Sequence, residues 1–199
     1  MTEPQPAPEA EPATALEGAA QRWIADYFNA RHLVRTRDWL VALHPGAPEA
    51  LRLAALTHDI ERRVPDGPRL DPRRQAWDDA DYLHEHSDRS AAIVRAWLDE
   101  QGAPAATRDR VGALVAAHET GGDDDADLVQ AADSLSFLEV NAGRARAWIE
   151  TGRCDADQAQ AKLDWMLERI GVPAALAPAR ELHAAATAAL RLEQRSGGR

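Results

Sequence analysis

Two apolar helical stripes in this chain end on histidine, and that narrows what it can fold into. Leu51, Ala54, Ala55 and His58 fall at the i, i+3, i+4, i+7 spacing of one helix face, and Val111, Leu114, Val115 and His118 repeat it. A third stripe, Val129, Asp133, Phe137 and Val140, puts a carboxylate where apolar groups belong. A lone histidine on such a face is usually satisfied by a carbonyl. A charged aspartate in a core is costly unless it meets an arginine or a metal cation. The pattern therefore predicts packed helices whose polar residues point inward.

No run of alternating β-branched residues interrupts the helical periodicity, so the expected fold is all-α, a single-domain helical bundle. Helices are expected over about 15–27, through His32 to about Leu43, 48–63, 77–101 as one helix or as two with a break near 84–87, 105–119, 126–150, 155–170 and 174–192. Pro-Gly-rich segments separate several of them, and 65–76 reads as a loop. The first 13 residues, rich in Pro, Glu and Ala, read as a disordered leader, and 195–199 as a disordered tail. The domain proper spans 14–194.

The formal net charge of −10 argues against general nucleic-acid binding. A small anion stays possible, because arginines or a metal can reverse the field inside a pocket. Lys162 is the only lysine, and Cys154, the only cysteine, permits neither an intramolecular disulfide nor a thiolate cluster. No stretch has the length and apolarity of a membrane span and no secretory signal is evident, so a cytoplasmic location is expected. Neither a P-loop nor a dinucleotide fingerprint is present. The acidic "TGGDDDAD" lacks the alternating ligands of a calcium loop and reads as a helix start. The late aromatics Trp148 and Trp165, with Met166, read as core packing or a homodimer face.

Taken in order, His32, His58-Asp59, His86, His118 and Asp133 deliver four imidazoles and two carboxylates on successive helices. Neutral imidazole binds first-row metals, and carboxylate neutralises their charge. Only a carboxylate ordinarily bridges two cations, and Asp59 is the natural bridge. Two ions would hold a shared water and clamp a phosphoryl group. Without further cysteines, Fe, Mn, Mg and Zn all remain open. His84 competes with His86 in "HEH"; the small and apolar residues after His86 favour the latter.

This order resembles the HD-domain superfamily of all-helical, metal-dependent phosphohydrolases over about 31–141. "RHLVRTRDWL" resembles the first helix, with His32 and Arg35. "LAALTHDIERRV" resembles the namesake motif at His58-Asp59, and "HSDRSAAIVRAWL", "VGALVAAHE" and "LVQAADSLSFLEVN" resemble the segments bearing His86, His118 and Asp133. The likeness implies an HD-type bundle of the dinuclear branch. One metal would be held by His32, His58, Asp59 and Asp133, and a second by Asp59, His86 and His118. Members very often carry Gly-Lys after "HDI". Here Glu61-Arg62 stands instead, so a bulky anion enters a place usually left open.

The expected function is hydrolysis of a phosphate ester or anhydride in a small, nucleotide-like molecule. Asp59, Glu61 and Arg62 are the catalytic candidates, and Arg35, Arg62, Arg63 and Arg89 the phosphate-binding ones. Two alternatives use the same ligands: a di-iron oxygenase acting on a small organic substrate, and a non-catalytic metal-containing binding domain. The fold and metal carry over more safely than the substrate.

Overall fold

The computed structural model describes residues 14–196, with side chains through residue 191, and within these the protein is helical without a strand. The expected leader lies outside the described residues, as do the last three residues of the expected tail. In chain order the helices are α1 (Ala15–Ile24), α2 (Ala30–Leu43), α3 (Glu49–Thr57), α4 (Ala80–Glu100), α5 (Ala105–Ala117), α6 (Asp124–Ser136), α7 (Arg144–Glu150), α8 (Ala156–Glu168) and α9 (Pro173–Ser196). A 3-10 turn, Ile60–Arg63, follows α3, and a π-helical turn, Phe137–Asn141, follows α6. No helix is long and apolar enough to cross a membrane.

The centre of the bundle is α3, which packs on α1, α2, α5 and α6. Leu53, Ala54, Ala55, Leu56 and Thr57 are successive buried residues, so this helix is enclosed on all sides. Its alanines let neighbouring helices approach closely. A buried helix must satisfy the carbonyls at its end, and the helix stops at the His58-Asp59 pair. Beyond it Asp59 leaves helical geometry, with φ −102° and ψ 19°. The end of the most deeply enclosed helix thus becomes the floor of the site.

Two apolar clusters fill the domain. One joins α1 to α6; the other runs from the end of α6 through α7, α8 and α9 and includes the buried Cys154. Helix α4 is unbroken through 84–87. Tyr82, Leu83, His86, Ser87, Ser90, Ala91 and Val94 form its buried stripe, and the polar members of that stripe hide its periodicity in the sequence. The stretch expected as one helix over 126–150 divides into α6, the π turn and α7. Glu139 in the π turn accepts from Arg35 and from Trp39 Nε1, the latter at 2.7 Å, which ties the turn to α2. Helix α9 carries its backbone through Ser196, past the expected start of the tail.

Candidate metal centre

Five elements bring the inward polar groups together. His32 comes from α2, His58 and Asp59 from the end of α3, His86 from α4, His118 from the end of α5 and Asp133 from α6; all are buried. Ring centroids run 5.3 Å from His32 to His58, 5.0 Å on to His118 and 5.5 Å on to His86. His84, the alternative to His86, is exposed beside Asp88.

The partners of the four rings define which nitrogen faces the centre. His58 Nδ1 lies 3.0 Å from the Ala55 carbonyl and His118 Nδ1 lies 2.7 Å from that of Val115. A carbonyl only accepts, so each Nδ1 carries the proton. His32 Nδ1 lies 2.9 Å from Ser136 Oγ, whose own hydroxyl donates to the His32 carbonyl at 2.7 Å. The serine proton is thereby engaged, and Nδ1–H of His32 is the donor. His86 Nδ1 donates to the Glu61 carboxylate at 2.9 Å. All four Nε2 atoms are left facing inward, the arrangement in which imidazoles bind metals.

Acids stand against those nitrogens. Asp133 Oδ1 is 3.0 Å from His32 Nε2 and 3.3 Å from His58 Nε2. Glu119 Oε1 is 3.6 Å from His118 Nε2. His86 Nε2 is buried without a hydrogen-bond partner, 3.2 Å from Asp59 Oδ1. Two trios, His32-His58-Asp133 and His86-His118-Glu119, place one ligand atom per residue within 4.8 Å of one another. An orphaned imidazole nitrogen and two buried N/O trios fit a divalent cation.

Asp59 belongs to neither trio. Its Oδ2 accepts from Asn29 Nδ2 at 2.8 Å and its Oδ1 from Arg62 Nε at 2.5 Å, so Arg62 occupies the carboxylate expected to bridge. Glu119 takes a place that the sequence reading did not give it. The signal was present: Glu119 adjoins His118 and lies four residues after Val115 on the apolar stripe. Arg169, also unforeseen, joins the two trios by ion-pairing with Asp133 Oδ2 and with Glu119. Asp133 therefore has both partners a buried aspartate can take, an arginine on one oxygen and histidines on the other.

These contacts set the protonation of the cluster. Burial alone would raise the carboxyls, but Arg62 holds Asp59 well below the usual range, helped by His86 and His58. Arg169 does the same for Asp133, with His58 and His32. Against the same burial penalty, Arg169 and His118 draw Glu119 down to about 2. Burial lowers His118 to about 4, so its ring is neutral at neutral pH. Burial works against protonation of His58 and His86 too, as does Arg62 at His86. Asp133 raises the former, Asp59 and Glu61 raise the latter, and both end above the ordinary value.

A cavity of about 160 Å³ opens onto this cluster, lined by His32, His58, Asp59, His118, Glu119 and Asp133. Cations complete its wall: Arg62, Arg144, Arg153, Lys162 and Arg169. Trp148 and Met166 line it as well, beside the core packing expected of them. Of the arginines expected to hold phosphate, only Arg62 lines the cavity. Arg35 pairs with Asp38 and Glu139, Arg63 reaches the Trp23 carbonyl at 2.5 Å on the exterior, and Arg89 Nε lies 3.7 Å from Glu61. Glu61 is fully buried behind His86 and does not line the cavity. His183 pairs with Asp164 at 2.6 Å, and His44 is exposed.

A family model described as "Domain of unknown function (DUF4202)" matches residues 8–161. No curated protein and no solved structure matches the chain.

Proposed function

The chain belongs to the DUF4202 family, and we propose that it is a metal-dependent phosphohydrolase acting on a small phosphorylated molecule. The observation that carries this reading is the convergence of His32, His58 and His118 and three carboxylates on a cavity whose wall also carries five cations, with His86 buried beside His118 and Glu119. The order His32, His58-Asp59, His86, His118, Asp133, which resembles that of HD-domain phosphohydrolases, supports it as well.

The trio His32, His58 and Asp133 would hold one divalent ion, and His86, His118 and Glu119 a second. Such an ion, when bound, lowers the pKa of water and neutralises charge on phosphoryl oxygens. The chain supplies the rest. Carbonyls, Ser136 and Glu61 hold each Nδ1–H and so fix the rings. Asn29 and Arg62 orient Asp59, which faces the cavity as an ionised carboxylate. Arg62 Nη1, hydrogen-bonded to Tyr82 at 2.8 Å, and Arg169 are the guanidinium groups nearest the acids and suit phosphoryl oxygens.

The test is hydrolysis of a panel of nucleotides and simple phosphate esters after reloading EDTA-treated protein with Mn, Fe, Mg or Zn, in air and under nitrogen. Metal-dependent phosphate release that persists without oxygen is the expected result. Turnover that requires oxygen would assign the centre to oxygenase chemistry, and a metal-loaded protein inert toward the whole panel would contradict catalysis.

A further inference from the structure

The wall of the cavity that α7 and α8 build carries cations of a different kind from Arg62 and Arg169. Arg62 and Arg169 are ion-paired to Asp59, Asp133 and Glu119. Arg144, Arg153 and Lys162 have no carboxylate within ion-pair distance among the described residues, and each instead lies over an aromatic ring. Arg144 is 5.2 Å from the Phe28 centroid and Arg153 is 5.5 Å from that of Trp148. Lys162 Nζ is 4.0 Å from the Trp165 centroid, 5.1 Å from Phe137 and 5.6 Å from Trp77.

Lys162 is the telling residue. It is the sole lysine of a chain with a formal net charge of −10, so carboxylates to pair it with are in surplus. Yet it faces the cavity from an aromatic surround with no carboxylate in ion-pair contact. Removing an ammonium from water without a partner is costly, and ring faces return only about 0.5–2 kcal/mol each. Stacking on a ring leaves the N–H donors free for an oxyanion. Burial pulls Lys162 down to about 7, consistent with a cation that lacks its anion.

We propose that Lys162, Arg153 and Arg144 form a second anion subsite, which binds a phosphate group of the substrate other than the one hydrolysed. The substrate class is then a molecule with at least two phosphate groups. The subsite stands on the geometry of this wall; its link to substrate rests on the phosphohydrolase reading above.

The experiment separates the two. EDTA-treated full-length protein at pH 6.5 is titrated calorimetrically with inorganic phosphate and, in a second arm, with malonate. The proteins are wild type, Lys162→Met, Lys162→Arg and Arg153→Gln, each first shown to be folded by circular dichroism. Phosphate should bind the metal-free wild type and Lys162→Arg alike. Lys162→Met and Arg153→Gln should each weaken it at least tenfold, and malonate should bind more weakly than phosphate. No phosphate binding in the wild type, equal binding by wild type and Lys162→Met, or a preference for malonate would overturn the proposal. Phosphate binding through Lys162 in a protein that hydrolyses no phosphate ester would support the subsite and contradict only the reaction.

Discussion

His58 and His118 close α3 and α5 in the same way: each donates its Nδ1–H to the carbonyl three residues back, and their rings stand 5.0 Å apart. The last carbonyls of a helix need donors, and its end carries partial negative charge. One hydrogen bond in each case satisfies a carbonyl, sets the tautomer and turns Nε2 toward the cavity. Nitrogen-15 correlation spectra of the metal-free protein should therefore show His118 as a neutral Nδ1–H ring throughout pH 5–8, because burial lowers it to about 4. An Nε2–H ring or an imidazolium in that range would contradict the geometry.

Arg169 is the standing cation between the two trios, and it competes with metal for Asp133 and Glu119. Arg169→Met should destabilise the metal-free protein by about 3–5 kcal/mol, the usual cost of leaving a buried carboxylate unpaired. It should also bind divalent cations more tightly than wild type, so that metal restores more stability to the variant. Urea unfolding with and without Mn²⁺ reads both effects. Equal metal affinity in the two proteins would mean that the arginine and the ion do not share the carboxylates.

Glu61 acts through His86. Its carboxylate fixes the ring from behind, and Gly67 presses on it so closely that an added Cβ would sit 1.4 Å from Glu61 Oε1. Loss of such a partner behind a metal-binding histidine typically costs 10–100-fold in affinity. Glu61→Gln and Gly67→Ala should each weaken binding of a second ion while sparing the first. Calorimetric titration showing both sites unchanged in both variants would remove this role.

The sequence made the buried histidines legible because apolar spacing led up to them at His58 and His118. It also made Asp133 legible as an acid on an apolar face. His86 was harder to place, since Ser87 and Ser90 are buried beside it and polar letters do not announce an inward stripe. Glu119 falls on the apolar spacing of α5 and could have been read there. Its pairing with Arg169 at the end of α8, 50 residues away, is a contact that periodicity within one helix cannot register, and that is why Arg169 was missed. Likewise Arg35 resembled a phosphate ligand by position, and only the π turn that brings Glu139 to it shows what it holds. Lys162 stands out in the sequence only as the sole lysine, and it takes α8 to place it on the cavity wall.

The stability cost of Lys162 should depend on pH in a defined sense. Its folded value of about 7 lies below the ordinary 10.5, because burial outweighs the attraction of Glu119 and Asp133 and because Arg169 and Arg62 oppose its charge. Between those values the unfolded chain binds the extra proton, so stability rises with pH across that window, and below pH 7 the full cost remains. Lys162→Met should therefore gain most over wild type at pH 6 and least at pH 9 in urea unfolding of metal-free protein. A gain independent of pH would show that the lysine is not desolvated.

Metal content tests the central claim most directly. Elemental analysis and equilibrium dialysis of wild type, Asp59→Ala and the double variant His58→Ala/His118→Ala, each checked for native helicity, should find up to two divalent ions in the wild type. Asp59→Ala, which removes a ligand from neither trio, should retain most of the bound metal, and the double variant, which removes a ligand from each trio, should retain almost none. A folded double variant that binds metal as wild type does, or a wild type that takes up none at any supply, would show that the buried histidines and acids are partners only to one another and to Arg169.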